Sequence, residues 1–156
     1  MATSLKAGDP APGFQGRTTD GHAISLDDYR GKKLVMYFYP KDDTPGCTRE
    51  ACAFRDRTAD LKARGAVVLG VSTQDVESHQ AFTKKYNLSF PLLADTDGKV
   101  GRAYGVLGGE GLLSKLKAAV GFADRVTFVI DEKGRIAHVI DRPDVANHAD
   151  EVLALL

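Results

Sequence analysis

The sequence predicts an α/β domain with a mixed central sheet, helices on its faces and a hairpin at the N-terminus. Three observations carry this expectation. Through the middle of the chain, apolar strand-like runs alternate with polar, helix-periodic runs, the pattern of a parallel sheet covered by helices. Leu34-Val-Met-Tyr-Phe-Tyr39 is continuously apolar and is ended by Pro40, which suits a strand buried on both faces. Val126–Ile130 and Ile136–Ile140 are two apolar runs joined by Asp131-Glu-Lys-Gly134, a hairpin that makes the sheet mixed rather than purely parallel.

In chain order, Gly8, Pro10, Pro12, Gly13, Gly16 and Gly21 punctuate the first 25 residues. They predict an irregular lead-in with a short hairpin turning at Asp20-Gly21. After the buried strand, Pro45 to about Arg64 reads as one helix stopped by Gly65. Ala66 to Val71 reads as a second buried strand, and Asp75 to Tyr86 as an amphipathic helix. A short strand over Phe90 to Ala94 and a helix from about Asp97 to Tyr104 follow. Leu112 to Val120 has a helical pattern, and Asn147 to Leu156 closes the chain as a helix. No repeat, low-complexity stretch or linker interrupts this order, so residues 1–156 are expected to form a single domain.

Composition narrows the function. Lys and Arg total 21 and Asp and Glu total 21, so no net charge favours nucleic acid or an anionic membrane. No run approaches the roughly 20 apolar residues that span a bilayer. Met1 to Gly8 lacks the apolar stretch of a secretory signal, which makes the cytoplasm the expected compartment. There are only two cysteines, Cys47 and Cys52. A disulfide closing so short a loop would gain little chain-entropy stabilisation. In a reducing compartment such a pair points to catalysis, redox chemistry or metal binding.

The setting of Cys47 favours a nucleophile. Thr44 suits an N-cap and Pro45 the first helical position, where no amide donor is needed. Cys47 then falls in the first helical turn, beside free N–H groups and the positive end of the helix dipole. Thiols so placed lose their proton more readily than free ones, and the thiolate is the attacking species. The segment also leaves the carboxyl end of a central strand, where sites form in open α/β sheets. A zinc site needs four ligands, and His22, His79, His138 and His148 show no paired ligand spacing, so they are expected to be surface or core residues. No cofactor is implied.

Pro40-x-x-x-Thr44-x-x-Cys47 resembles the active-site signature of the peroxiredoxins, thiol peroxidases with a thioredoxin-like fold. The run from Tyr37 to Arg55 resembles the bacterioferritin-comigratory or peroxiredoxin Q subgroup, and the likeness extends from Gly8 through Asp131. The resemblance implies a role for each matching residue. Cys47 would attack the O–O bond and become a sulfenic acid. Thr44 would hydrogen-bond the thiolate and the peroxide, and Pro40 would shield the site. Arg125 would hold the thiolate ionised and polarise the peroxide, with Glu50 orienting Arg125. Backbone N–H groups at Gly46 and Cys47 would stabilise developing charge.

By the same resemblance Cys52 would resolve the sulfenic acid as an intramolecular Cys47–Cys52 disulfide. Hydrogen peroxide and organic hydroperoxides would be the substrates, and thioredoxin, with glutaredoxin as the alternative, the reductant. The end at Leu156, without a long C-terminal arm, fits a monomer or a weak dimer. Gly108 to Gly121 departs from the subgroup and leaves hydroperoxide preference open. Two other functions compete: a general thiol–disulfide oxidoreductase, whose usual Cys-x-x-Cys spacing is absent, and a non-enzymatic chaperone-like module, for which both thiols would be dispensable. If both cysteines share one regular helix, their Cα atoms lie about 8.6 Å apart. That exceeds the roughly 7 Å a disulfide tolerates, so the helix would have to open during the cycle.

Overall fold

The computed structural model describes residues 3–108, 112, 116 and 121–156. The lead-in forms the expected hairpin from β1 (Gln15–Thr18) and β2 (Ala23–Ser25), followed by a 3-10 turn over Leu26–Tyr29. Next come β3 (Lys33–Phe38), α1 (Pro45–Asp56), α2 (Thr58–Ala63), β4 (Ala66–Ser72) and α3 (Val76–Tyr86). The chain ends with β5 (Leu92–Ala94), α4 (Lys99–Ala103), β6 (Val126–Ile130), β7 (Ile136–Ile140) and α5 (His148–Leu153).

These strands make one seven-stranded sheet in the order β2-β1-β5-β4-β3-β6-β7. The neighbouring pairs β3–β4 and β4–β5 are parallel, and the pairs β2–β1, β1–β5, β3–β6 and β6–β7 are antiparallel. The alternation of β3 explains its apolar run. Val35, Tyr37 and Tyr39 enter the core layer that contains Cys47, Phe54, Phe82 and Val152, whereas Leu34, Met36 and Phe38 enter the opposite layer with Leu69, Tyr104 and Phe128. Each such fully buried side chain is worth on the order of 1.5–3 kcal/mol relative to exposure.

One expectation is corrected. The single helix from Pro45 to Arg64 is two helices. Arg57 leaves helical geometry at φ −117° and ψ 14°, and the Thr58 hydroxyl donates to the carbonyls of Phe54 and Arg55 at 3.0 Å. A threonine that bonds the preceding turn competes with the backbone ladder and ends it. The helical pattern over 112–120 lies outside the described residues except for Leu112 and Leu116, which are helical and exposed.

Candidate active site

The site forms where β3 stops. Residues 40–44 turn the chain from the strand into α1, and buried Asp42 anchors that turn. Its carboxylate accepts from the Tyr39 hydroxyl at 2.6 Å, the Ser78 hydroxyl at 2.8 Å and His79 Nδ1 at 2.7 Å. Asp43 adopts a left-handed φ of 58°, a conformation that Asp tolerates better than most residues. Lys85 Nζ and the Tyr86 hydroxyl hold its carboxylate at 2.7 and 2.6 Å. Thr44 is the N-cap and Pro45 the first residue of α1. The Thr44 hydroxyl does not cap the helix; it donates to the Lys41 carbonyl at 3.0 Å. Pro40 is half-buried, and its carbonyl accepts from Gln74 Nε2 at 3.4 Å.

Cys47 is buried in the first turn of α1, and Cys52 is half-buried on the same helix; both are free thiols. Arg125 reaches Cys47 because of sheet register. β6 pairs antiparallel with β3, with Val126 opposite Phe38, so the residue just before β6 stands at the carboxyl end of β3. Arg125 Nη2 donates to Cys47 Sγ at 3.2 Å, and Nη1 donates to Glu50 Oε1 at 2.8 Å. Burial alone would make the guanidinium easier to deprotonate, but Glu50 and Cys47 outweigh it and raise its pKa. A Cβ on Gly46 would stand 3.2 Å from Arg125 Nη2, so glycine leaves room for the guanidinium to approach.

Glu50 is fully buried. Burial pushes its carboxyl up to about 7, against the downward pull of Arg125. Its second oxygen has no hydrogen-bond partner among the described residues, and His148 Nε2 stands 3.8 Å from it. His148 is itself fully buried, with Thr127 Oγ1 2.7 Å from Nε2 and Glu151 Oε1 3.1 Å from Nδ1.

Cys47, Arg125 and Glu50, far apart in sequence, are thus brought into direct contact, while Pro40 and Thr44 stand in the turn above. Cys52 lies along the helix, away from the arginine contacts. The sequence reading placed His148 only as a surface or core residue and missed Thr127. No motif spacing links either to Glu50, because β6 and α5 converge on it only in the fold. A cleft of about 540 Å³ lined by Phe14, Leu26, Arg30 and Lys99 shares no residue with this cluster. No group of three or more His, Cys, Asp or Glu side chains suited to a metal occurs among the described residues, and no described helix is long and apolar enough to cross a membrane.

The arrangement can present a sulfur nucleophile with a fixed cation beside it. Residues 7–139 match the AhpC/TSA family. The chain is 42% identical to the peroxiredoxin Bcp of Escherichia coli K12 over 149 residues, covering 96% of this chain and 94% of that protein. It resembles the crystal structure of a cysteine-to-serine mutant of Xylella fastidiosa PrxQ with a TM-score of 0.87 and 31% identity, covering 97% and 95% of the two chains. A third relative is the bacterioferritin comigratory protein of Xanthomonas campestris, whose structures address its alkyl peroxide reduction activity. The TM-score there is 0.81 at 34% identity, covering 90% and 88%.

Proposed function

The chain belongs to the AhpC/TSA family, as a thioredoxin-fold thiol peroxidase of the Bcp and peroxiredoxin Q type, and we propose that Cys47 is its peroxidatic nucleophile and Cys52 its resolving thiol. One observation carries the reading: the Arg125 guanidinium bridges Cys47 Sγ and Glu50. A fixed cation there stabilises the negative oxygen that develops as the O–O bond breaks. The thiolate attacks one peroxide oxygen, a sulfur–oxygen bond forms, and the other oxygen leaves as water or an alcohol after taking a proton. Thr44 would reach the bound peroxide after its hydroxyl turns from Lys41, and Pro40 would cover the approach.

Cys52 then attacks the sulfenic sulfur and releases water. Both thiols lie on α1, so its first turns must open for the disulfide to form. Identical hydrogen-exchange protection of the Cys47–Phe54 amides in the reduced and disulfide states would exclude that opening. Hydrogen peroxide and organic hydroperoxides are the proposed substrates. Thioredoxin is the proposed reductant, glutaredoxin the alternative, and residues 1–156 act as one cytoplasmic domain that works as a monomer or weak dimer.

A coupled peroxidase assay tests the assignment. Cys47→Ser is expected to lose turnover with every reductant. Cys52→Ser is expected to keep turnover with dithiothreitol and to lose most of it with thioredoxin. Equal loss with both reductants would end the division of labour, and residual turnover in Cys47→Ser would move the nucleophile elsewhere.

A further inference from the structure

Behind Arg125 lies a second layer of polar groups that the peroxidase chemistry above does not use. Glu50 spends one oxygen on Arg125, and its other oxygen faces His148 Nε2 at 3.8 Å. His148 is the inner end of a path to the surface, because its Nδ1 meets Glu151, whose side chain is 37% exposed. A carboxylate can only accept, so Nδ1 carries the hydrogen in the neutral ring, and Nε2 accepts from the Thr127 hydroxyl. The Phe54 ring stands edge-to-face on His148 with centroids 5.2 Å apart, which fixes the imidazole in this orientation. The carboxylate that holds the active-site arginine is therefore paired with a buried, oriented, titratable ring.

We propose that His148 is a positioning residue of the peroxidatic centre, sharing with Glu50 one proton that decides whether Arg125 is opposed by one negative charge or two. With the proton present, the Cys47 thiolate and Arg125 balance. With it gone, the Glu50 carboxylate competes with the thiolate for the same guanidinium. Burial supports the proton's retention: it raises the Glu50 carboxyl and lowers His148, each toward its neutral form. The titratable and charged groups facing the pair are Cys47 from α1, Arg125 at the start of β6, Tyr37 from β3, and Glu151 and Asp144 from α5 and the loop before it.

The inference rests on Cys47 being the nucleophile, so its test has one arm that does not. In the first arm, oxidation of Cys47 by hydrogen peroxide is followed in single turnovers across pH in a Cys52→Ser background. The rate is expected to fall at least about threefold as the pair's proton is lost, since a like charge then faces the thiolate. His148→Gln removes the alternative site for that proton and is expected to move the fall to lower pH by roughly half a unit or more. Glu151→Gln, at the surface, is expected to move it in the same direction by less, and leaves the core intact. Profiles that coincide for wild type and both variants would overturn the proposal.

The second arm records the ring nitrogen resonances of His148 in the reduced full-length protein by NMR across pH. The expected result is the Nδ1–H tautomer and a titration displaced by Glu50→Gln. A His148 titration that Glu50→Gln leaves in place would overturn the coupling, whether or not Cys47 reacts with peroxide.

Discussion

Asp42–His79 and Glu50–His148 are both buried carboxylate–histidine pairs, one beneath the turn that leads to Cys47 and one beneath the helix that carries it. Their hydrogen bonding differs. Asp42 accepts from Tyr39, Ser78 and His79, and the other ring nitrogen of His79, Nε2, stands 3.0 Å from the Leu93 carbonyl. Glu50 has one oxygen on Arg125 and one without a partner among the described residues, and His148 stands just beyond bonding distance of it. A satisfied buried network rigidifies what it touches, whereas an unsatisfied one retains a cost. The first pair therefore suits an anchor for the turn. The second keeps its charge state adjustable beside the arginine, the condition that a reactive centre uses and a scaffold avoids.

The sharpest way to break this contrast is to remove one member of each cluster. Asp42→Ala strands the hydrogen-bonding groups of Tyr39, Ser78 and His79, and is expected to cost about 3–5 kcal/mol of stability in denaturant unfolding. Arg125→Ala is expected to slow peroxide reduction on the order of a hundredfold or more. It should cost less stability, because Glu50 can respond by keeping its proton. Arg125→Lys should rescue only part of the rate, since an ammonium cannot reach Cys47 and Glu50 with a planar fork. If Asp42→Ala proved to be mainly a rate defect, or Arg125→Ala mainly a stability defect, the anchor and reactive centre would not be separable.

The second effect concerns pH. The Glu50 carboxyl is raised from its ordinary 4.5 to about 7 in the folded protein. A raised acid favours folding below its unfolded pKa, and that contribution is lost as pH rises toward the folded value. Between about pH 4.5 and 7, Glu50 thus makes the protein progressively less stable. Glu50→Gln keeps an oxygen for Arg125 and removes the ionisation. Its stability relative to wild type is expected to improve steadily across that window and then level off. His148, lowered by burial, acts in the opposite sense, withdrawing stability as pH falls below its unfolded pKa. A constant offset between Glu50→Gln and wild type from pH 4.5 to 8 would show that Glu50 is ionised throughout.

How much of this was legible beforehand depends on the range of the interaction. The apolar run of β3, the hairpin turn at Asp131–Gly134 and the first turn of α1 are local, and each appears where its residues predict it. The first-turn position of Cys47 was readable from one short segment, whereas the site roles proposed for Thr44, Pro40, Arg125 and Glu50 came only from their resemblance to a family. Thr58 ending α1 early was readable only in principle, because a threonine inside a helical pattern is usually tolerated. His148 and Thr127 were not readable. Their meaning arises from α5 and β6 packing on α1, and nothing in their neighbours signals it. Thr44 is the N-cap residue as its sequence position predicts, but its hydroxyl is engaged with Lys41 rather than with the helix.

A smaller perturbation sharpens the reactive side of the comparison. Gly46 lies in the first turn of α1, and a Cβ there would press on Arg125 Nη2 from 3.2 Å. Alanine is the better helix former by about 1 kcal/mol. Gly46→Ala is therefore expected to hold or slightly raise the melting temperature while it displaces the guanidinium by a few tenths of an ångström. Misplacement of a charged group at a reacting centre costs rate disproportionately, so peroxide reduction should slow by roughly three- to tenfold. A variant as fast as wild type would mean that Arg125 tolerates more freedom than its two contacts imply.

The smallest effect separates two stacked tyrosines whose rings lie 5.4 Å apart. Tyr39 donates its hydroxyl to Asp42, in the satisfied cluster. Tyr37 is buried beneath α1 in the other, and its hydroxyl has no partner among the described residues. Burial keeps both phenols neutral by raising them well above their ordinary values. Removing a hydroxyl that bonds a buried carboxylate costs about 1.5–3 kcal/mol, whereas removing an unsatisfied one is nearly neutral or stabilising. Tyr39→Phe should therefore destabilise, and Tyr37→Phe should change stability by less than about 1 kcal/mol, in the direction of a gain. A bound water joining the Tyr37 hydroxyl to the open oxygen of Glu50 would reverse the second result. Tyr37→Phe would then lose stability by a comparable amount and shift the pH window of Glu50. Measuring both variants in the wild-type and Glu50→Gln backgrounds decides the matter: a loss confined to the wild-type background assigns the water, and equal small changes in both leave the Glu50 oxygen truly open.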